Sequence, residues 1–442
     1  MNTTTWQEKF NRVRFGDLDV NRTVADSDPG LWQQYLQRAY VSKVIPPMCL
    51  CQTQEPVAMY IARLGDTYVL KRRPKTGHMH HSECESHGGI SRAANDLYTD
   101  EAIIERADGK VDHTLSVPLS TIEHMGESSM DEAAAPPRPQ TASPKRPAMT
   151  LRGFLNLLWE EAGLASWAPG MRGKRTLTRV YWRLTSELAD RLVGGEDAAM
   201  RVFVPSGFLD DDTEKRTRNQ LLERFENLNR LHGANHKGIL LIVGELRAIK
   251  STARNVALRL KGMPDSLPIW TPPGSIERLR AQWPASMERF DRSKHSQPVQ
   301  ASQHPEARPN RMFIIAGVQL SQQGNLNWRY GAAMETTEDF IPIDSQYEAR
   351  IANALVAQHR RFEKPLRYDG VAATFPDFVL TDMPQPMPLE IYGFSGPDYE
   401  ARKREKIAIY TKEGKPFWYW DVAQSKLPPV FPMIPTKNQN EH

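Results

Sequence analysis

The sequence has few cysteines, no long apolar run and no strong charge of one sign. Three cysteines in 442 residues, Cys49, Cys51 and Cys84, are an odd number and too few to frame a disulfide-stapled fold. The longest apolar run, Ile239-Leu240-Leu241-Ile242-Val243, is far too short to cross a bilayer. The first residues, Met1-Asn2-Thr3-Thr4-Thr5-Trp6, carry no apolar signal core. These absences point to a soluble cytoplasmic protein without a membrane partner. A formal net charge of +4 permits nucleic-acid binding without arguing for it. No internal repeat is found.

With 40% hydrophobic and 25% charged residues, the chain has enough apolar content for two or three folded units. The 33 prolines cluster and mark connections. Residues 1–125 read as a first module. In it Val57–Leu64 and Thr67–Lys71 flank a Gly65-Asp66 turn and predict a hairpin. Residues 126–149, rich in Ala, Pro, Ser and Glu, read as a flexible linker. Residues 150–337 read as a central α/β domain of unassigned role. Its helices are marked by Leu151, Phe154, Leu155, Leu158 and Trp159, by Val180, Leu184, Leu188 and Leu192, and by Leu221, Leu222, Phe225, Leu228 and Leu231. Strands are expected at 239–243 and 312–318, with a loose connection over 285–310.

Residues 338–432 read as a last α/β unit ordered helix, strands, helix, strand, before a tail at 433–442. Ser345 is a helix cap with Glu348 reaching back. Pro397 opens the second helix and Gly414 ends it. The predicted fold class is thus multidomain, α/β and α+β.

Two groups of residues carry chemistry. Cys49-Leu50-Cys51 and the run His78-Met79-His80-His81-Ser82-Glu83-Cys84 offer thiols and imidazoles on either side of the hairpin. Structural zinc takes four N or S ligands. The preferred set is Cys49, Cys51, His81 and Cys84, with His80 the main competitor for His81 and with His78 and His87 behind.

The second group is Phe375-Pro376-Asp377-Phe378-Val379-Leu380 and Leu389-Glu390-Ile391-Tyr392-Gly393. An acid between Leu389 and Ile391 is expensive to bury unpaired. Asp377 and Glu390 on neighbouring strand ends can hold Mg²⁺ or Mn²⁺, which activates water for attack on a phosphodiester. Glu348 is either a third carboxylate of that site or only a capping residue. In metal-dependent nucleases of the kind these residues resemble, a lysine usually stands two residues after the second acid, where this chain has Tyr392. Tyr399, Lys403, Lys406 and Tyr410 share one helix side, so Lys406, or else Lys403, can bring the amine, with Arg402 on phosphate from the rim.

On these residues the last unit resembles the PD-(D/E)XK restriction-endonuclease-like superfamily, in the branch that includes very-short-patch repair-like nucleases. That branch usually places a histidine after the second strand, where this chain has Tyr399. The chain as a whole resembles a bacterial family known as domain of unknown function 1173. The likeness rests on Cys49-Leu50-Cys51, the His81 to Cys84 loop, Leu151-Arg152-Gly153-Phe154-Leu155 through Trp167, and the two acidic motifs. It implies a setting on mobile or conjugative DNA, with DNA and proteins of such an element as partners. The expected activity is therefore a metal-dependent, nuclease-like action on DNA. The alternative is an inactive nucleic-acid-binding or scaffold protein on the same fold.

Overall fold

The computed structural model describes residues 10–42, 45–52, 55–64, 67–73, 76, 79–81, 84, 86, 102–106, 110–122, 148–206, 211–232, 236–295, 310–366, 375–393 and 397–435. The Gly65-Asp66 turn, His78, His87 and nearly all of the expected linker lie outside them. Among the described residues, no helix is long and apolar enough to cross a membrane. The fold is mixed α/β with several sheets.

The N-terminal sheet has five strands in the spatial order Leu18–Asn21, Arg12–Phe15, Met48–Cys49, Val57–Leu64 and Thr67–Arg72. They are β1 Arg12–Phe15, β2 Leu18–Asn21, β3 Met48–Cys49, β4 Val57–Leu64 and β5 Thr67–Arg72. The expected hairpin is β4 against β5, with Ile61 opposite Leu70. Cys49 sits mid-sheet, paired to Val13 on one side and Val57 on the other. Helix α1, Pro29–Ser42, spans the connection from β2 to β3.

Helix α2, Leu151–Glu161, begins where the Thr150 hydroxyl accepts the Gly153 N–H at 3.0 Å. Its Leu155, Leu158 and Trp159 are fully buried, and the Trp159 ring meets Phe313 edge-on at 4.7 Å. Strand β6, Ser166–Trp167, follows. The helix expected around Val180 ends at Leu188. Leu192 belongs to a separate strand, Arg191–Val193, because the chain turns at Asp190 with φ +58°.

The central sheet closes on itself. Strand β7, Leu240–Ser251, pairs with β8, Arg311–Leu320, through its first half and with Val256–Leu260 through its second. Val256–Leu260 pairs with Ile269–Thr271, which runs parallel to β9, Leu326–Thr336. β9 returns antiparallel to β8. The loose connection expected over 285–310 is corrected in part. Pro284–His295 is a helix that plugs the barrel with Met287 and Phe290, and residues 296–309 lie outside the described ones.

The last sheet runs Trp418–Asp421, Met387–Tyr392, Phe378–Leu380, Phe362–Glu363 and β6 in spatial order. Helix α3, Gln346–Ala357, leads into β10, Phe362–Glu363, β11, Phe378–Leu380, and β12, Met387–Tyr392. Helix α4, Pro397–Lys412, then crosses to β13, Trp418–Asp421, parallel to β12. Gly414, at φ +62°, follows the helix in the left-handed conformation that glycine adopts without strain. Residues 338–432 do not make this sheet alone: Trp167 of β6 lies opposite Phe362 and joins the same core as Leu355, Phe378 and Leu389.

Candidate functional site

The N-terminal cluster forms where β3 meets the loop after β5. Cys49 Sγ lies 3.6 Å from Cys84 Sγ, and His80 Nδ1 lies 3.5 Å from Cys51 Sγ and 3.8 Å from Cys84 Sγ. All four ligand atoms fall within 4.8 Å of one another, and all four residues are buried. A tetrahedron with ~2.3 Å metal–sulfur bonds has edges of about 3.8 Å. The cluster therefore has the dimensions of a metal site, and Cys₃His suits an ion such as zinc. Each sulfur also accepts an N–H. The Arg22 guanidinium donates to Cys49 at 3.4 Å, the His81 backbone to Cys51 at 3.3 Å, and the Ser86 backbone to Cys84 at 3.4 Å. Such donors stabilise thiolates. Hydrogen bonds from the Cys51 and Cys84 thiols hold Cys49 well below the usual thiol range, while the bond to Cys49 pushes Cys84 up.

The preferred histidine is corrected. His80 turns into the cluster, whereas the His81 ring stacks on Phe10 with centroids 3.8 Å apart. The loop is built of turns, with the Met79 N–H bonded to the Thr76 carbonyl and the Cys84 N–H to the His81 carbonyl, and it is His80 that this path delivers to the thiols.

The C-terminal cluster is built on β11 and β12. Phe378 lies opposite Leu389 in an antiparallel pair, so the preceding Asp377 is brought alongside Glu390, one residue further on. Side chains alternate along strands, so both carboxylates take the face away from Phe378 and Leu389. The Ile391 N–H donates to Asp377 Oδ2 at 2.7 Å, which fixes that carboxylate at the start of β11. Glu390, only 1% exposed, is fully engaged: Tyr410 donates to Oε1 and Lys406 to Oε2, each at 2.8 Å. Lys406 also donates to the Phe375 carbonyl at 2.8 Å.

Helix α3 brings Glu348. The Ser345 hydroxyl caps it by accepting the Glu348 N–H at 3.1 Å, and Glu348 Oε2 reaches back to the Asp344 N–H at 3.0 Å. Its capping role is real, but it has a second partner, Lys364, at 2.7 Å. Lys364 was not singled out in the sequence. It follows β10, is buried, stands 3.5 Å from Asp344, and its field acts on Asp377 and Glu390 as well. The sequence signal was slight: a lysine between Phe362 and Leu366, with every anionic partner distant along the chain.

Burial raises the carboxyl groups of Asp377 and Glu390, against the opposing fields of Lys364 and Lys406 respectively. Glu348 is pushed up to about 7, first by burial and then by Asp344 and Asp377, against the pull of Lys364.

Lys403 goes elsewhere. It pairs with Asp421 and lies 5.3 Å over the Tyr392 ring, so of the two helix lysines it is Lys406 that reaches the acids. The side chain of Arg402 lies outside the described residues. Tyr392 shares the face of Glu390. It is 4% exposed, and its hydroxyl has no hydrogen-bond partner among the described residues. Gly393 lets Tyr347 pack close, since a Cβ there would stand 2.7 Å from that ring. Among the described residues, the metal-ligand types gathered in a group of three or more within 4.8 Å are those of the Cys/His cluster. Glu348, Asp377 and Glu390 are not drawn together so tightly.

A sequence model of the family described as "Protein of unknown function (DUF1173)" matches residues 18–423. No curated protein and no solved structure matches the chain significantly.

Proposed function

The chain belongs to the DUF1173 family, and we propose that its last sheet is a metal-dependent nuclease-type site acting on DNA phosphodiesters, with a structural zinc ion at Cys49, Cys51, His80 and Cys84. The observation that carries the reading is the pairing of Asp377 and Glu390 on one face of adjacent strands, with Lys406 arriving from the next helix. The element order supports it. A helix, a three-strand antiparallel meander, a crossing helix and a strand parallel to the third is the arrangement of a PD-(D/E)XK core, with the aspartate before the second strand and the glutamate in the third.

The residues fit a hard divalent cation. Asp377 and Glu390 offer oxygen ligands suited to Mg²⁺ or Mn²⁺, and the Tyr392 hydroxyl on the same face, without a partner among the described residues, is a polar atom that a bound group would satisfy. Such an ion, when bound, supplies Lewis acidity to a phosphate oxygen and lowers the pKa of its water. Lys406 neutralises Glu390 at rest, and its ammonium can turn to the charge that develops on phosphate. Lys364 holds Glu348 in place. Glu348, at about 7, can take or release a proton near neutrality.

One observation favours a second reading, an inactive nucleic-acid-binding or scaffold protein. Lys406 and Lys364 already pair with Glu390 and Glu348, and the Ile391 N–H bonds Asp377, so each carboxylate has a partner without an added cation. The deciding test is cleavage of plasmid and single-stranded DNA with Mg²⁺ or Mn²⁺, comparing the natural protein with Asp377→Ala and Glu390→Ala. The nuclease reading expects metal-dependent nicking that both substitutions abolish. DNA binding without cleavage under either metal selects the second reading.

A further inference from the structure

The closed central sheet carries its own chemistry. Five strands run in the order β7, Val256–Leu260, Ile269–Thr271, β9, β8 and back to β7, and the third and fifth in chain order are parallel. Helices Pro273–Gln282 and Pro284–His295 fall between the third and fourth strands and close one end with Ile276, Leu279, Met287 and Phe290. This is the topology of an oligonucleotide/oligosaccharide-binding barrel, whose ligands lie across its second and third strands and the loops beside them. Topology alone does not name a ligand, so the side chains on that wall must decide.

Alternation separates the two sides of each strand. Leu246, Leu258, Leu260, Ile269 and Leu326 point inward and are buried. One outer wall, with Leu241, Val243, Phe313 and Ile315, packs in the core that contains Trp159 of α2. The other outer wall is different. Lys250, Ala257, Trp270 and Asn327 are cross-strand neighbours in one row, and Arg259 lies opposite Ala248. Trp270, Arg259 and Asn327 are half-buried, while Lys250 and Arg329 are exposed. The partners of Trp270 across the sheet are Ala257 and Asn327, so no large apolar side chain stands opposite it.

The charge is one-sided. Arg247, Lys250, Arg254 and Arg259 stand on this wall and its rim, and Arg329 is exposed two residues beyond Asn327 on β9. Asp265 answers Arg247 and Arg259, the latter at 2.8 Å. The flanking loops are short and polar. Thr252 N–H donates to the Asn255 carbonyl at 2.8 Å, and Ser321 N–H to the Asn325 carbonyl at 2.9 Å, so both present a fixed rim. An aromatic ring among cations suits an unpaired base next to phosphates. A neutral sugar would give these cations no partner.

We propose that this wall binds single-stranded nucleic acid, with Trp270 stacking on a base and Lys250, Arg254 and Arg329 contacting phosphates. The inference shares with the nuclease reading only the class of ligand, and it uses none of the same residues.

The test is fluorescence anisotropy of the full chain with labelled oligo-dT, oligo-U and a duplex of equal length, without added Mg²⁺ or Mn²⁺, at low and moderate KCl. The variants are Trp270→Ala, Trp270→Phe and the triple Lys250→Ala/Arg254→Ala/Arg329→Ala, each checked for native circular dichroism. Single strands should bind more tightly than duplex. Trp270→Ala should weaken strand binding about tenfold and Trp270→Phe should restore most of it. The triple variant should lower the slope of log K against log salt by roughly 2. Preference for duplex, no strand binding at low salt, or a folded Trp270→Ala that binds like the natural protein overturns the proposal. The same titration on Asp377→Ala separates the two readings: strand binding retained there stands whether or not any cleavage is found.

Discussion

Replacing Lys406 by alanine removes the ammonium that, among the described residues, is bonded to Glu390, a glutamate only 1% exposed. Breaking a buried pair from one side costs about 3–5 kcal/mol. Lys406 is itself 31% exposed, and Tyr410 still donates to Glu390, so water and the phenol offset part of the loss. A cost of about 2 kcal/mol follows at pH 7.5. It has a ceiling, because Glu390 can protonate instead. From the ordinary value of 4.5, that escape costs about 4 kcal/mol at pH 7.5 and under about 1 kcal/mol at pH 5. The sign is therefore fixed: the folded-state carboxyl is raised further in the variant, and the deficit grows with pH and fades as pH falls toward 4.5. Hydrogen exchange of the Met387–Tyr392 strand reads this locally, with variant and natural protein compared at each pH. About 30-fold faster exchange is expected at pH 7.5, and less than about 5-fold at pH 5. Lys406→Met, which keeps the apolar stem, should show the same pH trend. Equal exchange in variant and natural protein at pH 7.5, or a deficit that persists at pH 5, refutes the argument.

Two further outcomes follow. His80→Ala should release the bound metal from the N-terminal cluster while His81→Ala retains it, as read by elemental analysis and thiol titration after gel filtration; equal retention in both would remove His80 from the ligand set. Because the Glu348 carboxyl stands at about 7 in the fold and near 4.5 outside it, stability should fall as pH rises from about 4.5 to about 7 and then level off, by at most about 3 kcal/mol. Glu348→Gln should flatten that window in denaturant titrations, and an unchanged slope would place the proton elsewhere.

What could be read from the sequence was what local pattern encodes. The helix from Leu151, the Ser345 cap, the β4–β5 hairpin, the Gly414 stop and the strands beside Asp377 and Glu390 all follow from side-chain period and turn chemistry. What escaped depends on contacts distant along the chain. Lys364 has its anionic partners in α3 and at β11, and no local spacing links them. The helix at Pro284–His295 was hidden by a polar, proline-bearing composition, although Trp283, Met287 and Phe290 already stand at helical spacing. Barrel closure depends on the three-residue strand Ile269–Thr271, which is too short to show a period. His80 and His81 are neighbours of one type, so only the packing of Phe10 against His81 separates them.

Manganese binding at the last sheet tests the central claim most directly. Zinc-replete protein should bind about one Mn²⁺ in a saturable manner by electron paramagnetic resonance, and Asp377→Ala and Glu390→Ala should each abolish that site. If the natural protein leaves all added Mn²⁺ free in solution, Asp377 serves only the Ile391 N–H and Glu390 only Lys406 and Tyr410, and the account of a nuclease site fails.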